Sequence, residues 1–213
     1  ELECAVQVLG VQLHLLDYRD SGMEGSSDNQ HPDSLYQADL NDVARRLMHV
    51  IGDTRPHVIL THDSTGVYFH PDHIKVHHAV RRTWALLHDA GDGEVWRPGR
   101  LYCSVLPRSA LKWVILILRL MGRDPRRFGH NQDVDLTRVG VPDEQIHVRL
   151  DVGPYVLVKE QAGACHQSQG GGGAQRMMPA FLRRRLMRYE FFVQLEPPDA
   201  QPHTDLFEGL ENA

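Results

Sequence analysis

The sequence predicts an α/β fold with a mostly parallel sheet flanked by helices. Three observations carry this. Helix-like and strand-like periodicities alternate along the first half of the chain, as in βαβ architectures. The run "RPHVILT" (55–61) is short and apolar after a proline, which suits a buried parallel strand. A helical pattern then opens directly after the next loop, completing a strand-loop-helix unit. With 213 residues, 41% of them hydrophobic, the chain can bury the core of one medium domain spanning 1–213.

The elements follow in order. Leu2, Ala5, Val6 and Leu9 lie at helical spacing and Gly10 is placed to cap the helix end. This helix opens in mid-pattern, without an initiator Met or a signal-peptide layout, so a chain truncated at its N-terminus is expected. "VQLHLLDY" (11–18) alternates like a strand, and 19–33 is a polar loop. A helix is predicted over 35–52, its apolar stripe formed by Leu40, Val43, Ala44, Leu47, Met48 and Ile51. After the strand at 55–61, a further helix runs from about Asp72 to Ala90, with Pro71 at its start, where the missing N–H costs nothing. "LYCSVL" (101–106) reads as a strand and 109–121 as a helix. Its run "WVILIL" (113–118), bounded by Lys112 and Arg119, is too short to span a bilayer and reads as buried. A basic loop (123–135), a strand (146–152) and a helix (154–169) follow. The glycines of 170–174 form a flexible linker rather than a phosphate cradle, because no GK[ST] ending follows them. The tail, 194–213, carries Pro197, Pro198 and Pro202 and is expected to wrap the surface.

Charge and cysteine content bound the function. A net charge of −5 offers no broad positive field for a phosphate backbone, so small molecules or proteins are the expected partners, and nucleic acid is not. Neither is a membrane. Cys4, Cys103 and Cys165 are odd in number and far apart, which argues against a disulfide framework or a zinc ribbon and for a reducing, cytoplasmic compartment.

The densest chemistry lies in "YFHPDH" (68–73). His73 and His77 share a helix face and His70 sits at its mouth, so imidazoles at this spacing can reach one divalent ion. Ile74 stands where the H-E-x-x-H motif needs its glutamate, which excludes a zincin-type protease. Taken alone, the cluster reads by default as a histidine-rich helix start facing solvent. Its position speaks for a site: it follows the C-terminal end of a strand, where ligands bind in open α/β sheets.

"GVYFHPDHIKVHHA" resembles the second signature of the LmbE-like, or PIG-L, zinc-dependent N-acetyl-sugar deacetylases. "LGVQLHLLDYRDSGM", "GSSDNQHPDSLYQAD", "RPHVILTHD" and "KEQAGACHQSQ" resemble further family segments in the same order, so the resemblance covers nearly the whole chain. It is nearest to the deacetylase and amidase branch of mycothiol metabolism. The resemblance implies a single Rossmann-like domain and a hydrolase that removes acetyl from an N-acylated amino-sugar conjugate with a metal-activated water. The metal would be Zn2+, with Fe2+ an alternative, and a homo-oligomer is compatible with it. His73 would ligate the metal. His70 would be the general acid or oxyanion-stabilising imidazole, Asp72 its orienting partner, and Tyr68 the hydroxyl that polarises the carbonyl. Asp20, Met23 and Arg19 would contact the sugar.

One departure stands out. The family's first signature, H-P-D-D-E, supplies two zinc ligands and the general base, and nothing of that form precedes "YRDSGM". Its only echo is "HPDS" (31–34), expected to be a solvent-facing turn. The chain as given is therefore expected to be incomplete for activity and unable to hold catalytic zinc tightly, since one imidazole is not a site, and the rival to the enzyme is a catalytically inactive relative that binds sugar or regulates. Elsewhere, "CHQSQ" (165–169) reads as a helix end rather than a nucleophile cluster, "RRR" (183–185) as a solvated face, and "RDPRRFGH" (123–130) as a surface loop.

Overall fold

The computed structural model describes residues 1–91, 95–129, 132–169, 184–185, 187–198 and 201–210. The elements are α1 (Leu2–Leu9), α2 (Leu40–Thr54), β1 (Val58–His62), α3 (Gly66–Phe69), α4 (Pro71–Asp89), β2 (Arg100–Val105), α5 (Arg108–Leu120), β3 (Val148–Asp151), α6 (Val156–Ala164) and β4 (Tyr189–Glu196). The four strands form one mixed sheet in the order β1-β2-β4-β3, flanked by helices, so the α/β class holds. β1 pairs with β2 in parallel, His62 opposite Ser104, and β2 pairs with β4 antiparallel, Cys103 opposite Val193. The expected linker at 170–174 lies outside the described residues, and Arg184 and Arg185 of the "RRR" run are exposed.

The chain divides into two compact units, Glu1–Leu15 with Arg149–Glu190, and Leu16–Val148 with Phe191–Ala213. In the first, α1 ends on Gly10 in the left-handed conformation, as its sequence predicted, and packs against α6. α6 is shorter than the expected 154–169, with single 3-10 turns before and after it. Cys4 and Cys165 form a disulfide with Cα atoms 5.8 Å apart, which corrects the expectation of unpaired cysteines. Helix packing juxtaposes two residues 161 positions apart, a proximity that no local spacing pattern encodes. The inference of a reducing compartment thereby loses its premise.

The second unit carries the chemistry. α2 starts at Leu40 rather than 35, because the Asp39 carboxylate accepts from the N–H groups of Asn41 and Asp42 and fixes the helix start there. α2 and α4 meet at Ala44 and Ala79, both fully buried, and Thr83 Oγ1 donates to the carbonyls of Ala44 and Ala79. Val80 and Trp84 of α4 form a core with Leu101 of β2, against which Leu47, Ile59, Val76 and Leu195 pack. A second core joins Leu111 of α5 to Leu136 and Val139, with Tyr68, Val114, Ile115, Leu118 and Val134 packed on it.

Three further expectations are corrected. Residues 11–18 form no strand: Val11 and Leu15 are more than half exposed, and the nearest pairing is a single bridge between Arg19 and Ser34. Alternation alone does not make a strand where no sheet edge receives its backbone. The "WVILIL" run is helical but only half buried, with Trp113 68% exposed. The segment "YEFFVQLE" is a strand, β4, that takes the first three residues of the expected tail. No helix among the described residues is long and apolar enough to cross a membrane.

Candidate active site

β1 delivers His62 and Asp63 to its C-terminal end, and the loop that follows is shaped by Asp63. Buried there, Asp63 accepts at Oδ1 from the N–H of Thr65 (2.9 Å), the Thr65 hydroxyl (2.8 Å) and the N–H of Val67 (2.8 Å). These bonds hold Val67 and Phe69 at φ 66° and 69°, unfavourable for residues with a Cβ and worst for β-branched valine. The guanidinium of Arg138 lies over the Phe69 ring at 4.3 Å. Gly66 has φ +62°, and a Cβ there would come within 2.9 Å of His73 Cβ. The result is a tight, α3-centred turn that places Tyr68 between strand and helix.

α4 starts with His70 as N-cap and Pro71 at its first position, as the sequence suggested. His70 Nδ1 accepts from the backbone N–H of Asp72 at 3.2 Å. An N–H directed at Nδ1 makes that atom an acceptor and leaves the proton of neutral imidazole on Nε2. The Asp72 carboxylate turns elsewhere: Oδ1 accepts from Ser21 Oγ at 2.5 Å and Oδ2 from Ser21 N–H at 3.0 Å. Asp72 thus orients His70 through its amide and ties "YRDSGM" to the helix through its carboxylate. Ser21, fully buried, also accepts from the N–H of Tyr36 at 2.9 Å.

His73 Nδ1 lies 3.2 Å from the Gly66 carbonyl, which fixes the proton on Nδ1 and presents Nε2 as a lone-pair donor. Its ring stacks on His62 at 4.0 Å and 5° and lies 4.9 Å from His70 and 5.1 Å from Tyr68. Burial, reinforced by the charges of His62 and His70, pushes the His73 pKa down to about 4, so the ring is neutral at neutral pH. His62 is lowered too, chiefly by burial. The Tyr68 hydroxyl is raised by burial and by the carboxylates of Asp133 and Asp20, which keeps it protonated and able to donate. His77, one turn beyond His73, faces away: its Nδ1 bonds the His62 carbonyl at 2.9 Å and it is buried in the core.

Asp20, His70 and Asp72 each offer a ligand atom within 4.8 Å of the others, a group able to hold a cation. Asp20 is exposed and held by a turn in which its Oδ1 accepts from Gly22 N–H at 2.7 Å. Met23 is half-buried, its carbonyl bonded by Ser26 N–H and Asn29 Nδ2. The Arg19 guanidinium pairs with Asp28 at 2.6 Å and lines a cavity of about 940 Å³ with Asp17, Tyr18, His31 and Asp33. The "HPDS" echo reaches that wall through His31, Pro32 and Asp33, with Asp33 81% exposed and its N–H donating to His31 Nδ1, but Ser34 is fully buried and bridged to Arg19, so the expected solvent-facing turn holds only in part. Sequence reasoning missed His62, Ser21 and Gly66. Only their places inside "THD", "RDSGM" and "TGVYF" hinted at them.

Comparison with known proteins gives the family. Residues 1–84 match the family described as PIG-L, GlcNAc-PI de-N-acetylase. A 1D-myo-inositol 2-acetamido-2-deoxy-alpha-D-glucopyranoside deacetylase of Thermomonospora curvata is 36% identical, the match covering 99% of this chain and 75% of that protein. Proteins of the same name from Thermobifida fusca (32% identical, 98% and 74% covered) and Acidothermus cellulolyticus (33%, 99% and 73%) are similar. With relatives this similar over almost its full length, and with the HPDH segment set between strand end and helix start, the chain belongs to the PIG-L family of deacetylases.

Proposed function

We propose that the protein hydrolyses the acetamide of an N-acetylated amino-sugar conjugate, of the glucosaminyl-inositol kind named for its relatives, with a divalent cation, Zn2+ or alternatively Fe2+. The observation that carries this is His73: a neutral imidazole, Nδ1 bonded to a backbone carbonyl and Nε2 offered, beside the His70 and Tyr68 rings. Imidazole is a donor that such a cation accepts, and carboxylate donors stand in the separate group of Asp20, His70 and Asp72, whose ligand atoms lie within 4.8 Å of one another. When bound, it supplies Lewis acidity to the amide carbonyl and acidifies a water.

The chain's own residues supply part of the rest; the general base and two metal ligands of the family's first signature have no counterpart in this sequence. His73 would hold the cation through Nε2, with the Gly66 carbonyl fixing its tautomer. His70, its Nδ1 occupied by the Asp72 amide, donates from Nε2–H toward the oxygen or amine that gains charge. Tyr68 donates its phenolic proton to the developing oxyanion. Asp20, Met23 and Arg19 border the sugar. Asp72 is a positioning residue whose carboxylate keeps the Asp20 turn against α4.

Zinc content per chain and acetate release from N-acetylglucosaminyl-inositol test the assignment. His73→Ala is expected to lose bound zinc and activity, while Asp20→Ala keeps the metal and loses turnover. Metal retained in His73→Ala and lost in Asp20→Ala would instead move the cation to the group formed by Asp20, His70 and Asp72.

A further inference from the structure

The outer face of α5 has no chemistry assigned to it and departs most from an ordinary surface. Trp113, Leu116, Ile117, Leu120 and Met121 are 68%, 45%, 54%, 79% and 64% exposed. At helical spacing they occupy one continuous arc of about 140°. The inner face of the same helix, Leu111, Val114, Ile115 and Leu118, is already packed against Leu136 and Val139, so burying the core does not require the outer residues to be apolar. A contiguous exposed apolar strip of this kind marks an interaction surface.

The charge around the strip selects its partner. Lys112 and Arg119 lie along one flank, and Arg108, Arg123, Arg126 and Arg127 continue the basic rim, all exposed. Between 108 and 129 there are six basic residues and one acidic, Asp124, in a chain whose net charge is −5. The carboxylate of Asp143 is adjacent but is engaged by Ser109. A second copy docked through this face would bring two such basic rims together. Tryptophan and aliphatic side chains on one face with lysine and arginine beside them are what an interfacial helix uses to lie in the headgroup region. The helix is too short to cross, and it does not need to.

We propose that α5 docks the protein on an anionic lipid surface, Trp113, Ile117 and Leu120 entering the headgroup boundary and Lys112 and Arg119 facing lipid phosphates. Co-sedimentation of the 213-residue chain with vesicles of equal parts phosphatidylcholine and phosphatidylglycerol tests this, beside vesicles of phosphatidylcholine alone and at low and high salt. Binding is expected only to the anionic vesicles, weakening with salt. It should come with a blue shift of tryptophan emission that Trp113→Phe removes. Ile117→Glu/Leu120→Glu and Lys112→Glu/Arg119→Glu, all at exposed positions, should each weaken partition about tenfold or more while circular dichroism melts stay like the wild type. No binding to anionic vesicles, or equal binding to both compositions, overturns the proposal. So does a concentration-dependent dimer that Ile117→Glu/Leu120→Glu dissolves, which would assign the face to a second copy.

Discussion

Ser21 is the residue on which two motifs hinge. Its hydroxyl donates to Asp72 and accepts from the Tyr36 amide, and its own amide bonds the other Asp72 oxygen, Ser21 itself being fully buried. Ser21→Ala leaves the part-buried Tyr36 N–H without its acceptor and the Asp72 carboxylate short of one donor, which costs about 1 kcal/mol. Urea denaturation should show that loss as a lower midpoint at unchanged slope; an unchanged midpoint would mean that the Ser21–Asp72 link carries no weight. Cys103 illustrates the opposite case. Burial pushes its thiol up to about 12, so this cysteine is packing, not chemistry.

Among the elements, the turn between β1 and α4 decides the geometry of the site. It is held by Asp63 and the Phe69 N–H to Thr65 carbonyl bond, at the cost of two non-glycine residues in the left-handed region. Gly66 is needed twice over: its φ favours glycine, and any Cβ would press on His73 and Ile74. Gly66→Ala should displace the His73 ring from the Gly66 carbonyl, lowering zinc affinity at least about tenfold, as lost outer-shell support does. A competition titration against a chelator would read this, and wild-type affinity in the variant would refute it. The sequence located this turn, since "HDSTGVYFHP" lies between a predicted strand and a predicted helix. It did not disclose the conformation, because Val67 and Phe69 are residue types that avoid positive φ and adopt it only under tertiary constraint.

At the scale of the whole chain, the Cys4–Cys165 bond closes the longest covalent loop, 161 residues in separation, and links α1 to the end of α6. Constraining a loop of that length in the unfolded chain stabilises by about 5 kcal/mol in the chain-entropy model, of which measured bonds typically deliver roughly 2–4 kcal/mol. Cys4→Ser, or reduction of the wild type, should therefore lower the thermal midpoint by several degrees. Equal melting with and without reductant would show that the bond contributes nothing.

By itself the sequence determined the α/β class, the starts and stops of α1 and α4 and a strand expected over 55–61 that forms over 58–62, because caps, prolines and periodicity are local and Gly10, His70 and Pro71 act within one turn of where they stand. It also gathered Tyr68, His70, Asp72 and His73, which lie within six residues and need only a strand end and a helix start to converge. Tertiary structure alone decided that 11–18 forms no strand, that "YEFFVQLE" joins the sheet, that Asp72 reaches Ser21 across 51 residues, that His62 stacks on His73, and that Cys4 meets Cys165. Each of these depends on which distant surface is available to pair with. Alternation and residue spacing report a segment's own preference and carry no record of its partner.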